Sequence, residues 1–340
     1  MRVVVGARSF GDLFERLPRL LPGTEVLPSE PGRLAETLRR VGGADVIVPG
    51  MSPVDEAVLE QAPGVRLVQQ WGAGLDTVDI DACSRRGVPV ANVPSAGTGN
   101  AESVAEWALL GALAVSRRIE EARRNLDGGS ATWGRPVGRL LMGKAALVVG
   151  LGGIGQLLAP RLRALGMHVW AVRRRGMGED GAALVARLGL EGLGGPADLP
   201  DLLPRMDALF LCLPLGPESY HLIDGKMLAR MKPGAVLVNA GRGGLVDGAA
   251  LAEALHAGRL GGAALDVFER EPLPADDPLR SAPNLFLTPH IAGVTEESYA
   301  GIGAAVAENL RRVEQGLPPL HCVNAAALTR RSSAAGGRPA

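Results

Sequence analysis

At residues 145–155 the chain reads AALVVGLGGIG, an apolar run that breaks into glycines with the spacing G-x-G-x-x-G. The pattern predicts a strand, a tight turn and the start of a helix. Gly150 permits the turn, Gly152 lets the backbone approach a pyrophosphate without an intervening side chain, and Gly155 lets helix and strand pack closely. We therefore predict a dinucleotide-binding loop in this stretch.

The residues after the glycines support this prediction. Gly153 and Ile154 are further candidate cofactor contacts in this loop, and the helix predicted after it directs its N-terminus at the phosphates. Leucines follow at helical spacing through residue 165, and residues 167–172 form a second apolar strand, which completes a β-α-β unit. A glycine pattern alone is equally typical of an ordinary turn, so the prediction depends on this context.

A run of basic residues, Arg173-Arg174-Arg175, follows the second strand. NAD-binding proteins usually place a carboxylate here, about twenty residues after the first glycine, to hold the ribose hydroxyls. A carboxylate would repel the 2′-phosphate of NADP, whereas a guanidinium group binds it through two parallel hydrogen bonds. We therefore expect NADP(H) as the preferred cofactor, bound by Arg173 and Arg174, with NAD(H) as the alternative. The other interpretation of the run is a solvated basic loop.

Composition argues against several classes of function. Lysine plus arginine equals aspartate plus glutamate at 36 each, so no basic excess indicates nucleic-acid binding. The three cysteines lack C-x-x-C spacing, which predicts neither a disulfide framework nor a metal site. No apolar run approaches the about twenty residues of a membrane span, and the N-terminus does not resemble a signal peptide. We expect a cytoplasmic protein whose partners are small molecules.

Residues 1–98 alternate short apolar strands with helical or loop segments, as a parallel sheet does. A glycine-flanked turn, Trp71-Gly72-Ala73-Gly74, follows one of these strands, where open α/β sheets bind ligands. The amides of Ala73 and Gly74 could hold a substrate carboxylate, and Trp71 could narrow the pocket toward small acids. A turn that simply requires glycine, with Trp71 in the core, is the alternative.

The remaining segments predict the domain organisation. A Pro-, Ser- and Gly-rich segment ending at Asn100 is typical of a hinge, and one long helix is predicted from Ser103 to Arg124. Asn100 is a candidate contact with the substrate and nicotinamide. Strands recur through the second half and complete a doubly wound sheet. We expect residues 1–98 with 290–324 to bind substrate, 99–289 to bind dinucleotide, and 325–340 to form a disordered tail.

Three further motifs each follow a strand: NAGRGGLVD at residues 239–247, DVFEREP at 266–272 and TPHIAG at 288–293. Together with the glycine pattern and Val104-Ala105-Glu106, they occur in the order found in the D-isomer-specific 2-hydroxyacid dehydrogenases. The chain resembles this family from about Val68 to Gly293. The family includes glyoxylate and hydroxypyruvate reductases and phosphoglycerate dehydrogenases.

This resemblance implies a fold, a site and an oligomeric state. The fold is α/β with two doubly wound domains, in which a Rossmann dinucleotide-binding domain is inserted in a flavodoxin-like substrate domain. The catalytic positions fall on Arg242, Glu271 and His290. Relatives are commonly homodimers paired through the cofactor domain, to which the helix from Ser103 contributes. Further cofactor contacts fall on Leu213, Pro214, Ala240, Asp266 and Gly293.

The chemistry of a keto-acid reductase explains these residue types. Reduction needs a proton donor that recharges near neutral pH, which favours a histidine, here His290. Glu271 would orient the imidazole and favour its protonated form, while Arg242 can bind the substrate carboxylate bidentately and polarise the carbonyl. Each residue alone has a structural alternative, so the assignment depends on their joint occurrence. We predict reduction of a small 2-keto acid, of the glyoxylate or hydroxypyruvate type, to the D-2-hydroxy acid.

Rival functions use the same scaffold. Glu271 argues against formate dehydrogenases, which carry glutamine at that position. A chain that ends soon after the return helix makes a feedback-regulated phosphoglycerate dehydrogenase less expected, although shorter ones exist. A phosphite dehydrogenase is another alternative, and so is a corepressor-like dinucleotide sensor, which would bind dinucleotide without turnover.

Overall fold

The computed structural model describes residues 1–7 and 13–336, which divide into two compact units. The first unit is Met1–Asn100 with Thr295–Ala340, and the second is Ala101–Val294. The boundaries predicted from the sequence lie at 98/99 and 289/290. Residues 99–100 therefore fall in the first unit instead of the second, and residues 290–294 fall in the second unit instead of the first. The reason for the second difference is that the amides of Ile291 and Ala292 each donate to the carboxylate of Asp266 at 2.8 Å, and Asp266 directly follows a strand of the second unit.

A parallel sheet whose strands alternate with helices forms the first unit. Its strands run in the order β2-β1-β3-β4-β5, which is the flavodoxin-like order. Helices cover both faces, so the central strands are apolar throughout: Val3 and Val5 contact one core cluster, and Val4 contacts the other. The elements up to residue 91 are β1 (Arg2–Val5), α1 (Leu13–Leu20), β2 (Glu25–Pro28), α2 (Leu34–Val41), β3 (Val46–Val48), α3 (Glu56–Glu60), β4 (Leu67–Gln69), α4 (Ile80–Arg86) and β5 (Val90–Ala91).

The second unit carries a longer parallel sheet. Its elements are α5 (Asn100–Ser116, which starts at the boundary), α6 (Ile119–Asp127), β6 (Ala145–Val149), α7 (Gly153–Ala164), β7 (His168–Val172), α8 (Gly181–Leu188), β8 (Gly192–Gly194), α9 (Leu199–Leu202), β9 (Ala208–Leu211), α10 (Gly225–Arg230), β10 (Val236–Asn239), α11 (Gly248–His256), β11 (Gly262–Leu265) and β12 (Leu285–Leu287).

The order of this sheet is β12-β11-β10-β9-β6-β7-β8, which is the Rossmann order extended by one strand. Successive residues of β6 enter different cores, because side chains alternate across a strand: Ala146 and Val148 contact one cluster, Leu147 and Val149 the other. The order reverses between β6 and β9, so a crevice opens at their carboxyl ends, where such sheets bind ligands.

The chain returns to the first unit through α12 (Glu296–Glu314) and α13 (Ala325–Gly336). The expectation of a disordered tail from residue 325 is wrong for residues 325–336, and residues 337–340 lie outside the described part. An alanine-rich start favours the helix. The side chain of Asn324, just before α13, accepts from the amide of Val90 and donates to the carbonyl of Val88, both at 2.9 Å.

The predicted single helix from Ser103 to Arg124 is divided in two. α5 ends at Ser116 and α6 begins at Ile119, because Arg118 adopts a left-handed conformation with φ of 54°. The amide of Arg139 donates to the carbonyl of Ser116 at 2.7 Å. This bond satisfies one of the carbonyls that have no donor within the helix at its C-terminal end. The sequence carries no proline at this break to indicate it.

Both sheets confirm the predicted α/β class with two doubly wound domains. Within residues 1–7 and 13–336, no helix has the length and apolar character needed to cross a bilayer.

The close packing of α7 against β6 can be tested at two glycines of the 150–155 loop. A Cβ added to Gly155 would lie 1.9 Å from the carbonyl oxygen of Gly150, whereas one added to Gly152 meets no atom within 4 Å. We expect Gly155→Ala to lower the free energy of unfolding by about 1–3 kcal/mol through overpacking, and Gly152→Ala to leave it nearly unchanged. Urea titration of both variants measures the difference, and equal stability of the two would contradict the close approach of α7 to β6.

Candidate active site

The glycine loop lies at the carboxyl end of β6. Gly150 has φ of +100°, and a Cβ there would lie 2.6 Å from the carbonyl oxygen of Cys212, so only glycine fits. Gly152 precedes the first turn of α7, which contains Gly153 and Ile154. The amides of this turn have no acceptor within the helix, and the space beside Gly152 is open. This loop fits a pyrophosphate, which approaches the backbone and accepts from helix N-terminal amides.

Leu213, Pro214 and Ala240, the predicted cofactor contacts, lie at the same edge of the sheet as the glycine loop. They follow β9, which neighbours β6 on its far side from β7, and β10, the strand beyond β9. Ala240 donates its amide to the carbonyl of Leu211 at 3.3 Å, and the side chain of Leu213 is partly buried against the core. Their contact with the cofactor stays a prediction.

Arg173 directly follows β7, at the predicted position, but its guanidinium group is bound by its own loop. Nη1 and Nη2 donate to the carboxylate of Asp180 at 2.9 and 2.5 Å, Nη2 also donates to the carbonyl of Met177 at 3.0 Å, and Nε donates to that of Gly176 at 2.7 Å. The Arg173 side chain is only 13% exposed. The guanidinium group of Arg173 is therefore less available to an anion than the sequence indicates, whereas Arg174 and Arg175 are exposed.

His290 and Glu271 form a hydrogen-bonded pair in the second unit. Nδ1 of His290 lies 2.7 Å from Oε2 of Glu271, whose other oxygen accepts the amide of Phe268 at 3.0 Å. The His290 side chain is 39% exposed and that of Glu271 21% exposed. Because Nδ1 is bound to Glu271, Nε2 is the ring nitrogen available for chemistry.

The two groups shift each other's pKa values. The hydrogen bond to Glu271 raises the pKa of His290 above its ordinary value, and burial opposes this effect. Burial raises the pKa of Glu271, but the hydrogen bond and charge of His290 outweigh it, so the net pKa lies below the usual carboxyl range. The imidazolium–carboxylate state is therefore favoured.

The charge of Arg242 influences the protonation of both His290 and Glu271. Arg242 follows β10, and its positive charge lowers the pKa values of both Glu271 and His290. Its Nη1 donates to the carbonyl of Gly241 at 2.8 Å, and its own carbonyl accepts from Nδ2 of Asn239 at 2.9 Å. A Cβ on the next residue, Gly243, would lie 1.8 Å from the carbonyl carbon of Phe268. Glycine is therefore required for the Arg242 and Glu271 loops to approach each other.

Asp266 holds the loop that carries His290. Its carboxylate is buried, with 1% of the residue exposed. It accepts from Oγ1 of Thr288 at 2.6 Å and from the amides of Ile291 and Ala292, while its carbonyl accepts the amide of His290 at 2.8 Å. The predicted contacts of Asp266 with nicotinamide, and of Gly293 in the same loop, stay predictions.

The predicted substrate contacts other than Arg242 belong to the first unit. Trp71 is only 6% exposed and packs edge-on against Tyr299, with ring centroids 6.1 Å apart, so it lies in the core as the alternative interpretation held. Ala73 is exposed, and its carbonyl accepts from Nδ2 of Asn92 at 2.8 Å. Nδ2 of Asn100 donates to Oγ of Ser298 at 3.3 Å. The roles of Ala73, Gly74 and Asn100 stay predictions.

Sequence reasoning missed two residues that shape the site. Asp180 binds Arg173, and Gly243 permits the approach of two loops. An acidic residue shortly after a basic run could have indicated the first, since the chain can turn back within a few residues. A glycine directly after a candidate catalytic arginine could have indicated the second. In the described part of the chain, no group of three or more His, Cys, Asp and Glu side chains is arranged to hold a metal ion.

A family model described as "D-isomer specific 2-hydroxyacid dehydrogenase, NAD binding domain" matches residues 109–292. This match confirms the cofactor class, a nicotinamide dinucleotide. It includes the glycine loop together with Arg242, Glu271 and His290.

Curated relatives extend the match beyond this domain. A D-3-phosphoglycerate dehydrogenase of Mycobacterium tuberculosis is 40% identical over 87% of this chain and 56% of its own length. The chain spans about half the length of several such relatives. A glyoxylate reductase of Korarchaeum cryptofilum is 36% identical over 84% of this chain and 85% of its own length.

A solved structure agrees with these relatives. The TT0316 protein of Thermus thermophilus superposes with a TM-score of 0.82 at 34% identity, over 95% of this chain and 100% of its own. With the matched domain, the ordered motifs and the His290–Glu271 pair in place, the chain belongs to the D-isomer specific 2-hydroxyacid dehydrogenase family.

Proposed function

We propose that this protein reduces a small 2-keto acid, of the glyoxylate or hydroxypyruvate type, to the corresponding D-2-hydroxy acid. The observation that carries the proposal is the 2.7 Å contact between His290 and Glu271, with the charge of Arg242 acting on both. This set combines a proton donor, the group that keeps it charged, and a cation for the substrate carboxylate.

His290 is the proton donor in this proposal. Its Nδ1 is fixed by Glu271, so Nε2 carries the proton that passes to the carbonyl oxygen of the substrate as the alcohol forms. Glu271 stabilises the imidazolium before transfer and fixes the ring orientation throughout. In the oxidative direction the same nitrogen accepts the hydroxyl proton.

Arg242 binds the substrate. A guanidinium group donates two parallel hydrogen bonds to a carboxylate, and its charge polarises the adjacent carbonyl. A lysine would provide a point charge without the fixed geometry. The short 3-10 turn Gly243–Leu245 directly after Arg242 is buried at Gly244 and Leu245, which restrains the backbone that positions it.

A nicotinamide dinucleotide, when bound, would supply the hydride for the carbonyl carbon. This chain would hold it through the amides of the 150–155 loop, with Leu213, Pro214, Ala240, Asp266 and Gly293 as further contacts. NADP(H) is the preferred form in this proposal, because Arg173-Arg174-Arg175 stands where NAD-binding proteins place a carboxylate. NAD(H) is the alternative form.

A phosphoglycerate dehydrogenase is the second candidate function. It is favoured by the 40% identity over 87% of this chain to the Mycobacterium relative of that name. Its oxo acid carries a phosphate, so a comparison of phosphorylated and unphosphorylated hydroxypyruvate distinguishes the two candidates.

Homodimerisation is proposed for the second unit. Large apolar side chains are exposed on and after α5 and α6: Trp133 is 99% exposed, Leu126 69% and Leu140 68%. A surface of this kind is typical of a protein–protein interface. The partner in this proposal is a second copy of the chain.

A steady-state assay tests the reaction. We expect NADPH oxidation to exceed NADH oxidation, with glyoxylate or hydroxypyruvate turned over faster than pyruvate or 3-phosphohydroxypyruvate. His290→Ala should lower kcat by about two to four orders of magnitude, because the general acid is lost. His168→Ala is the matched control, since His168 pairs with Glu191 at 3.0 Å on the surface.

Each result of this assay has a defined meaning. Near-normal turnover by His290→Ala would remove it from the mechanism. Faster reduction of the phosphorylated acid would favour the phosphoglycerate dehydrogenase, and dinucleotide binding without any turnover would favour a sensor.

The pH profile tests the role of Glu271. Because Glu271 raises the pKa of His290, the protonated donor persists to higher pH, and the reductive kcat/KM should fall only above that pKa. In Glu271→Gln the imidazolium loses its carboxylate, so this alkaline fall should move to lower pH by about one to three pH units. Glu191→Gln, which removes the partner of His168, should leave the profile in place. An unshifted profile in Glu271→Gln would contradict the proposed coupling.

Light scattering after size exclusion tests the dimer. We expect twice the chain mass for the wild type and a shift toward the monomer for Trp133→Asp, because a charge would be desolvated in the interface. Met51→Asp in the first unit, at a position 59% exposed, is the control. A monomeric wild type at micromolar concentration would refute this part of the proposal.

A further inference from the structure

The loop after β7 encloses the guanidinium group of Arg173. It turns back at Gly176 and Gly178, whose φ values of +56° and +48° favour glycine. A Cβ added to Gly178 would lie 3.3 Å from Nη2 of Arg173, so the backbone passes close to this group. The turn brings Asp180 to the arginine that starts the loop.

The hydrogen-bond donors of Arg173 are almost fully used within this loop. A guanidinium group has five N–H donors. Asp180 accepts two of them through a bidentate contact, and the carbonyls of Gly176 and Met177 accept one each. A phosphate bound bidentately needs two parallel donors. Arg173 can therefore bind a phosphate in this way only after it releases Asp180.

The side chain of Asp180 binds Arg173 instead of capping a helix. Asp180 directly precedes α8, where an aspartate usually accepts from a helix amide. Its side chain makes no such bond and binds Arg173 instead. The hydrogen bond from Arg173 lowers the pKa of Asp180 to about 2, so the carboxylate is ionised at any pH where the enzyme would work.

We propose that Asp180 determines cofactor specificity by competing with the ribose 2′-phosphate of NADP(H) for Arg173. The competition weakens NADP(H) binding and leaves NAD(H), which lacks the phosphate, unaffected. Asp180 thereby limits the preference for NADP(H) over NAD(H) that the basic run would otherwise produce. This inference rests on the proposed binding of the 2′-phosphate by the basic run, and it names the residue that opposes that binding.

Equilibrium binding tests this inference without turnover. Calorimetric titrations of wild type and Asp180→Asn with NADPH, NADH, 2′,5′-ADP and 5′-AMP separate the phosphate subsite from the rest of the cofactor. We expect Asp180→Asn to bind NADPH and 2′,5′-ADP about three- to tenfold more tightly, because a competing charge-assisted hydrogen bond is removed. Binding of NADH and 5′-AMP should not change.

Glu179→Gln is the matched control, because it removes the same charge from the neighbouring exposed residue without altering the Arg173 contact. A purely long-range effect of charge would tighten NADPH binding equally in both variants and would overturn the inference. Asp180→Ser, whose side chain is able to cap α8, provides a second variant in case the asparagine perturbs the loop.

The tighter binding of NADPH and 2′,5′-ADP expected for Asp180→Asn should also require Arg173. We expect Arg173→Ala with Asp180→Asn to bind 2′,5′-ADP no more tightly than Arg173→Ala alone. Weaker NADPH binding by Asp180→Asn would overturn the inference, since Asp180 would then support the phosphate site. A wild type that binds neither dinucleotide would refute the proposed function itself, whereas one that binds both while Asp180→Asn shows no gain would refute only this inference.

Discussion

The buried carboxylate of Asp266 is the constraint on which the candidate active site depends. A carboxylate with 1% of its residue exposed is stable only when its oxygens are hydrogen-bonded. Here the bonds come from Thr288, Ile291 and Ala292, all of which flank His290. They stabilise His290 at φ of 56°, a conformation unfavourable for a residue with a Cβ. The hydrogen bond to Glu271 is the main cause of the raised pKa of His290, and the negative charge of Asp266 adds to it. Asp266 therefore positions the imidazole and also contributes to its protonation.

Opposite charges act on His290 from two other loops. Glu271 favours its protonated form and Arg242 disfavours it, and the result is a pKa above the ordinary value. The proximity of the two loops depends on Gly243, because any side chain there would overlap the backbone at Phe268. The electrostatic balance at the imidazole is therefore a consequence of backbone packing as much as of the charged residues themselves.

The sequence predicted the features that depend on local pattern. Glycine spacing located the loop after β6, and motif order selected Arg242, Glu271 and His290, whose charged groups influence one another in the structure. It failed where a contact joins positions without a recognisable pattern. At the end of α5, the hydrogen bond from Arg139 to Ser116 joins residues that are 23 positions apart in the sequence. No local pattern at Arg118 predicts its left-handed backbone conformation. The helix after Asn324 was missed because its composition suggested a tail, whereas its start is anchored to residues 88 and 90. The interpretation of the basic run as a phosphate site does not predict the pairing of Arg173 with Asp180, because it leaves out the acidic residue seven positions further on.

The discontinuity of the first unit has a consequence for folding during synthesis. One face of its sheet, at Val3, Val5 and Val46, is covered by Ile302, Val306 and Leu310 of α12. These helix residues leave the ribosome only after the whole of the second unit, which is continuous in sequence. The second unit can therefore complete its core first, since domains generally fold as units in order of emergence. Until α12 emerges, the early valines can pack only against earlier residues of the cluster such as Leu17 and Leu21. The part of the sheet face that α12 covers is therefore exposed to aggregation for the time taken to translate the Rossmann unit.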